Sequence, residues 1–381
     1  MALYIGMMTG TSLDGLDAVL ADFTDTQPPR VVHSVSLDYP KALAADMLAL
    51  QAGADGLGVN ELHRARQAGI ALSALHSLAL EKLLLESATS AAQISAIGVH
   101  GQTVRHLPPS RARAYEISTQ AYTAQLIDPA RIAEATGCTV VADFRARDIA
   151  AGGEGAPLVP AFHALMVQNL AKPVAVVNIG GFANASLIEP SGVRGFDTGP
   201  GNVLMDAWAQ RHLGAQYDAG GAWAASSAPD ANVLATLLSH PFFSQPLPKS
   251  TGREAFNLAW LDTILREKFA ALSPATVQAT LCALTACTIL GALQDYGDKL
   301  QTLQGIYICG GGAKNATLMA QLAAQAPCPV GSTSVLGVDP QHVEALTFAW
   351  LAKCCLARQA IDLSSVTGAA GARVLGAVYY A

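Results

Sequence analysis

Two stretches of this chain open in the same way, and that repeat constrains the fold more than any other feature. A short apolar run at 4–8 meets Thr9-Gly10-Thr11-Ser12, and a β-type run resumes at 16–23. Far downstream, an apolar run at 174–179 meets Gly180-Gly181, and a second run resumes at 184–188. Each reads as a strand, a tight glycine turn and a returning strand. The two lie on either side of a segment with helical spacing at 157–170. No close sequence repeat joins them, only the same order of elements. At 381 residues the chain exceeds one average domain and accommodates two. We therefore expect a first lobe over 1–170 and a second over 171–381, with the last helix packing back on the first.

The remaining elements fit α/β layers in each half. Strands are expected at 31–38, 94–100, 139–143, 195–197 and 305–309. Helices are expected at 41–51, 60–87, 129–136 with Gly137 as its stop, 258–269, 274–296, 315–324 and 343–358. Half of the residues are hydrophobic and 14% are charged, enough apolar material for large cores. The net charge of −6 and the lack of a basic stripe argue against broad nucleic-acid binding. The first residues show no basic n-region of a secretory signal, and no uninterrupted apolar run reaches the roughly 18 residues of a membrane span. The cytoplasm is the expected location. Seven cysteines without a C-x-x-C pair read as reduced core residues.

Five elements carry candidate phosphate or sugar chemistry. In the first, Gly10 and Gly15 let the backbone turn and approach a ligand, and Thr11, Ser12 and Leu13 offer backbone and hydroxyl donors to an anion. Asp14 and Asp17 repel bare phosphate and make sense beside a cation or water. An ordinary hairpin explains the turn equally well when it is taken alone. In the second, Asn178-Ile179-Gly180-Gly181 reads as another phosphate turn or as a packed bulge. In the third, Gly310-Gly311-Gly312 leads from a strand to a helix starting at Asn315, where a nucleotide could lie near the backbone. It lacks the P-loop pattern, and a plain turn is the alternative. In the fourth, Asp197 sits in Gly195-Phe196-Asp197-Thr198-Gly199-Pro200-Gly201-Asn202, as a general base or a turn cap. The fifth is His100-Gly101-Gln102-Thr103, where His100 contacts ligand or satisfies a buried hydrogen bond. The charges in Asp143-Phe144-Arg145 and at Glu344 carry the same ambiguity.

In order, two phosphate-type hairpins and a strand–GGG–helix match the nucleotide-binding plan of the sugar kinase, actin and chaperone superfamily. Within it, the chain strongly resembles the anhydro-N-acetylmuramic acid kinases. The motifs that carry the likeness run from Gly6-Met7-Met8-Thr9-Gly10 and Leu13-Asp14-Gly15-Leu16-Asp17 through His100-Gly101-Gln102-Thr103 and Ala142-Asp143-Phe144-Arg145. They continue with Gly152-Gly153-Glu154-Gly155, Gly252-Arg253-Glu254 and Val343-Glu344-Ala345.

The resemblance implies an actin-like, ribonuclease H-like two-lobed α/β fold with an interlobe active-site cleft. It implies ATP and Mg2+ as cofactors, an amino-sugar substrate and a homodimer, with no nucleic-acid or membrane partner. The implied reaction hydrolytically opens 1,6-anhydro-N-acetylmuramic acid and phosphorylates O6, in peptidoglycan recycling. Asp197 then matches the base and Glu344 a helper. Gly10, Thr11, Ser12, Leu13, Asp14, Gly15, Leu16 and Asp17 match the nucleotide site, with Gly180, Gly181, Gly310, Gly311, Gly312 and Asn315. Asp14 and Asp17 are the candidates for the metal. His100, Gln102, Thr103, Gln125, Asp143, Arg145 and Asn178 match the sugar site. Two departures stand out: Ile127 where the family usually has Gly, and Glu154 where Gln is common. An ordinary sugar kinase of the same fold and a non-catalytic ATP-binding regulator are the alternatives.

Overall fold

The computed structural model describes every residue except 1, 11–12, 14, 25–27, 53–59, 113–119, 248, 270 and 296–298. The expected contributions of Thr11, Ser12 and Asp14 fall outside the described residues. Thirteen strands are present among the described residues: β1 (Leu3–Thr9), β2 (Gly15–Asp22), β3 (Arg30–Asp38), β4 (Ile94–Val99), β5 (Gln102–Leu107), β6 (Tyr122–Leu126) and β7 (Val140–Ala142) come first. They are followed by β8 (Val174–Ile179), β9 (Phe182–Glu189), β10 (Gly192–Pro200), β11 (Ile306–Cys309), β12 (Val330–Ser332) and β13 (Ala377–Tyr379). The chain divides into one unit of Met1–Met166 with His342–Ala381 and a second of Val167–Gln341. The second unit thus ends at Gln341, not at the chain terminus, and the last 40 residues belong to the first.

The first unit carries a sheet in the order β13-β7-β4-β1-β2-β3. Strands β1, β2 and β3 run antiparallel in sequence, and β4 and β7 add parallel beside β1. The second unit repeats this plan as β10-β9-β8-β11-β12. Here β8, β9 and β10 are antiparallel, and β11 and β12 add parallel beside β8. An antiparallel meander extended by parallel strands on its first member is the ribonuclease H-like topology, present once in each unit.

Glycine pairing explains how the last long helix, Val343–Leu356, seats on the first sheet. Gly6 of β1 and Gly98 of β4 lie opposite each other in register. A Cβ on Gly6 would overlap the Ala345 carbonyl, and one on Gly98 would overlap that of Phe348. The two form a groove in which the helix backbone lies directly on the sheet. Around it, Ile5, Met7, Leu16, Leu20, Met47, Leu72 and Ile97 build the core of the unit. The helix Glu61–Glu86 closes another side, capped by Asn60, whose side chain accepts from the Leu62 and His63 N–H groups. The helix Pro129–Thr136 starts at the Asp128 cap and ends at Gly137 in the left-handed conformation.

In the second unit the helix Pro274–Asp295 is buried on nearly all faces and packs with Val177, Ile179, Leu187, Leu204 and Trp208. This helix and Glu61–Glu86 are long and apolar enough to cross a membrane by length and composition, though each is interrupted by polar residues. Most of the apolar window of the former lies inside its own unit, as a core helix does. All seven cysteines are free; Cys287 and Cys328 are half-buried and the other five are buried.

Candidate functional site

The catalytic candidate of the second unit sits on an irregularity of its sheet. Between Asp197 and Gly199 of β10 the register against β9 shifts, and the bulge re-aims the side chain there. Gly199 takes a φ of 146°, and a Cβ on it would press on the Phe243 ring. The Asp197 backbone is fixed by its N–H to the Lys249 carbonyl at 3.0 Å. Its carboxylate accepts from the Ser250 hydroxyl at 2.9 Å and the Thr251 N–H at 3.0 Å, both on Oδ2. Oδ1 has no hydrogen-bond partner among the described residues. Burial raises this carboxyl above its ordinary value, and the Thr251 N–H and Ser250 hydroxyl pull the other way. Ser250 and Thr251 were not singled out from the sequence; their signal is a Ser-Thr-Gly turn just before Arg253.

The glycine corners of the same unit adjoin one another. Gly180 and Gly181 join β8 to β9, and their carbonyls accept from the N–H groups of Asn202, at 2.8 Å, and Gly201, at 2.9 Å. Asn202, which closes the fourth sequence element, donates from Nδ2 to the Ile179 carbonyl at 3.3 Å. Gly310, with φ +77°, follows β11, and a Cβ on it would overlap Asn178 Oδ1 and crowd the Ile179 carbonyl. Asn178 is therefore placed at the base of this corner, with the Cys309 thiol 3.8 Å from its Oδ1.

Not all of these glycines are needed by the protein's own packing. Gly312 must lack a side chain because Ile179 fills the space, and Gly201 because it lies on the Gly180 carbonyl. Gly180, Gly181 and Gly311 are different. Their backbones are not in the left-handed region, and a Cβ on any of them would meet nothing closer than 3.5 Å. Neither conformation nor internal contact requires glycine at these three positions. Asn315, expected at the nucleotide, is the N-cap of the helix Ala316–Gln325, its Oδ1 engaged by the Leu318 N–H at 3.0 Å.

In the first unit the hairpin joining β1 and β2 begins at Gly10, whose carbonyl accepts from the Leu13 N–H at 3.3 Å; Leu13 has a φ of +60°. A Cβ on Gly15 would press on the Leu37 carbonyl at 2.9 Å. Leu16 is a fully buried core residue, so its side chain faces no ligand; this corrects the expectation that it lines the nucleotide. Asp17, half-buried on β2, accepts from the Ser36 hydroxyl of β3 at 2.5 Å.

The structure brings together His100, Arg145 and Glu344. Arg145 donates from Nε to His100 Nε2 at 2.9 Å and from a guanidinium nitrogen to the Gly155 carbonyl at 2.8 Å. Burial lowers Arg145 to about 10, while the charges of Glu344 and Asp148 support its protonated form. The His100 ring packs on Phe348 at 4.8 Å. Burial first, and the Arg145 charge second, hold it well below the usual imidazole range, so it is neutral. Glu344 stands in the first turn of the helix seated by Gly6 and Gly98, which is how a packing feature places a charged group. Asp143 follows β7 in the left-handed conformation at φ 57°, exposed, with its carboxyl raised by desolvation.

A second cluster spans β5 and β6. Gln125 donates to Thr103 Oγ1 at 3.2 Å and Thr123 Oγ1 at 2.7 Å, and Thr123 meets His106 at 3.0 Å. Burial lowers His106 to about 4. Gln102 departs from expectation: it is fully buried, its Oε1 accepting from the Tyr39 hydroxyl at 2.8 Å, so it is part of the interior and not of a sugar-contacting surface. The Glu154 carboxylate is occupied by the Ser110 hydroxyl at 2.6 Å and N–H at 3.1 Å. Ile127 takes an ordinary φ, so the loop does not need glycine there; its side chain instead lies against Gly101.

Two ribonuclease H-like units in one chain, with glycine turns following the first strands, define the actin-like class of fold. Within it, the chain belongs to the anhydro-N-acetylmuramic acid kinase family, whose model matches residues 2–381. A relative of that name from Variovorax paradoxus is 47% identical over 385 residues, covering 99% of this chain and 98% of that protein. Another from Pseudomonas putida is 47% identical over 381 residues, covering 100% and 99%. Among solved structures, a component of (R)-2-hydroxyglutaryl-CoA dehydratase from Acidaminococcus fermentans is similar with a TM-score of 0.48 at 10% identity, covering 92% of this chain and 96% of that one. A glucokinase from Streptomyces griseus solved with glucose and AMPPNP is similar with a TM-score of 0.40 at 12% identity, covering 92% and 99%.

Proposed function

We propose that this chain is an ATP-dependent kinase that opens 1,6-anhydro-N-acetylmuramic acid with water and phosphorylates O6, giving N-acetylmuramic acid 6-phosphate and ADP in the recycling of peptidoglycan. Family membership over the full length supports the substrate and reaction. The observation that carries the chemistry is Asp197, with one carboxylate oxygen fixed by two donors and the other without a partner among the described residues. A general base needs this combination of held orientation and one available oxygen. Burial raises its proton affinity, which suits it to take a proton from water.

In the reaction, water oxygen bonds to the anomeric carbon while Asp197 takes its proton. The bond from that carbon to the bridging oxygen breaks, and the freed O6 bonds to the γ-phosphorus as ADP leaves. The open faces of Gly180, Gly181 and Gly311 provide room for the nucleotide to approach the backbone. The turn that begins at Gly10 matches the family's first phosphate turn. His100, Arg145, Thr103 and Gln125 match the family's sugar-binding residues, and the Glu344 charge supports Arg145.

Nucleotide-bound Mg2+ takes most of its ligands from phosphate and water and needs only one or two carboxylates. Asp17 fits that modest requirement, already oriented by Ser36. When bound, Mg2+ supplies neutralisation of phosphate charge. The cytoplasm is the compartment that supplies ATP, and a homodimer is the assembly we expect. Turnover in 18O-labelled water tests the reading: one label is expected at the anomeric hydroxyl and none in phosphate. An unlabelled sugar product would reduce the enzyme to an ordinary sugar kinase, with Asp197 deprotonating a hydroxyl.

A further inference from the structure

Lys249 of the second unit is charged at a place where an apolar side chain would avoid a desolvation penalty. It is 8% exposed, and a buried ammonium is unfavourable unless its hydrogen bonds are made. Here they are made to backbone. Nζ donates to the Phe242 carbonyl at 3.1 Å and to the Phe243 carbonyl at 2.8 Å, and it stands 4.7 Å from the centroid of the Phe242 ring. Burial lowers the ammonium from its ordinary value, and the charge of Asp295 supports its protonated form.

The turn that receives the ammonium is locked by aromatic packing. The Phe243 ring stacks on Phe256 at 5.4 Å, Phe242 meets Phe256 edge-on at 5.7 Å, and the His240 ring lies 4.7 Å from it. Phe256 itself is fully buried. The Phe243 N–H closes on the His240 carbonyl at 3.0 Å, and the Gln245 N–H on that of Phe242 at 3.2 Å. The same turn abuts the bulge of β10, because the Phe243 ring fills the space in front of Gly199.

The backbone end of Lys249 reaches that bulge by a second route. Its carbonyl accepts the Asp197 N–H at 3.0 Å, and the next two residues supply the Ser250 hydroxyl and Thr251 N–H that hold Asp197 Oδ2. Among the described residues, the segment 249–251 makes no other hydrogen bonds than these three to Asp197 and the two from its ammonium to the turn. The contacts form a closed circuit: from Gly199 to the Phe243 ring, from the Phe243 carbonyl to the ammonium, and from the Lys249 carbonyl back to Asp197. Without the ammonium the circuit opens, and the segment stays bonded only to the group it orients.

We propose that Lys249 is a positioning residue for Asp197: its ammonium anchors the segment 249–251 on the aromatic turn, and the anchored segment holds the carboxylate in place. Lys249 acts through Ser250 and Thr251 and not on the substrate. The proposal rests on the reading of Asp197 as the general base, and its test separates the two.

Burial raises the Asp197 carboxyl, while the Thr251 N–H and the Ser250 hydroxyl pull it back. Loss of the anchor loosens these donors, burial then dominates, and the carboxyl binds its proton at higher pH. Lys249→Met keeps the stem and removes the ammonium. In full-length protein labelled with 13C at the aspartate carboxyls, the Asp197 signal is identified by its absence in Asp197→Asn. Its titration is expected to move to higher pH in Lys249→Met. The acidic limb of kcat is expected to move with it, and kcat at neutral pH to fall about tenfold with KM for ATP unchanged. Lys249→Gln, neutral but with a polar head, is expected to shift the titration in the same direction and serves if the apolar variant does not fold. Lys249→Arg restores donors and is expected to recover part of both effects. An unchanged Asp197 titration in the folded Met or Gln variant overturns the proposal even where kcat falls, because a loss without that shift marks packing alone. A titration that moves while the kcat profile stays supports the anchor and refutes the general-base reading instead.

Discussion

The two units share a strand order but use glycine for opposite purposes. In the first, Gly6 and Gly98 are flat spots on adjacent parallel strands, and a helix backbone fills the space where side chains would stand. In the second, Gly180, Gly181 and Gly311 gather after β8 and β11 and leave a Cβ-sized space that no protein atom occupies. One unit removes side chains to bring its own helix close, and with it Glu344. The other removes them where nothing of its own requires it. Since the topology is the same, the difference is one of local sequence. A glycine is informative about function only after its packing reason has been looked for and not found.

The charged groups divide in the same way. Asp197 is held by direct donors at a bulge, whereas the Glu344 charge supports the protonated form of Arg145. Asp197→Asn is expected to lower kcat by about three orders of magnitude or more while nucleotide affinity is kept, because a general base is lost outright. Glu344→Gln is expected to cost about ten- to a hundredfold, as an indirect partner does. Steady-state kinetics with nucleotide titration checks both. Equal losses would dissolve the distinction between the two units' carboxylates.

The glycines allow a matched pair of tests. Gly98→Ala places a Cβ against the Phe348 carbonyl, which belongs to a helix backbone and yields little. We expect a loss of about 3 kcal/mol or more in denaturant unfolding, at the upper end for overpacking. Gly311→Val adds a larger side chain at an exposed position, where the nearest atom to the new Cβ is Asn202 Nδ2 at 3.5 Å. Its melting temperature is expected to stay within about 2 °C of wild type, as for surface changes. Its affinity for ATP is expected to fall about tenfold, which calorimetry measures. A destabilised Gly311→Val with normal ATP binding would place that glycine in the class of Gly98.

Much of this frame was legible in the sequence. Strand β8 and the helix Pro129–Thr136 are where apolar runs, the proline start and Gly137 put them, because local rules set their ends. The glycine turns were visible as turns, yet the sequence could not say which glycines serve packing, since that depends on what lies across the sheet. The same limit explains the individual misses. Leu16 belongs to a motif but points into the core, because alternation along β2 assigns its face. Gln102 follows His100 in a motif, yet a tyrosine 63 positions away takes its oxygen. Asn315, a candidate nucleotide contact in the sequence, also caps a helix, a role its type performs often. Ser250 and Thr251 hold Asp197 from 53 and 54 positions away, beyond any local signal.

Buried acids give the smallest and most specific contrast. Asp148 of the first unit accepts from the Gly155 N–H and the Thr367 hydroxyl, each at 2.8 Å, which offset part of its burial. Asp206 of the second unit has no side-chain hydrogen bond among the described residues. Burial, and then the charge of Asp218, raise it from 3.8 to about 7. The folded form therefore keeps a proton that the unfolded chain releases. Asp206 leaves stability intact below about pH 4 and withdraws it progressively as pH rises to about 7, after which the loss is constant. Asp206→Asn removes the titration. We expect no gain in stability at about pH 4 and a gain of about 1 kcal/mol at about pH 8, the figure being reduced for the solvent that still reaches the carboxylate. Unfolding by denaturant at the two pH values measures it. A gain of equal size at both would mean that Asn improves the packing, and that the Asp206 proton has no part in the difference between the units' buried acids.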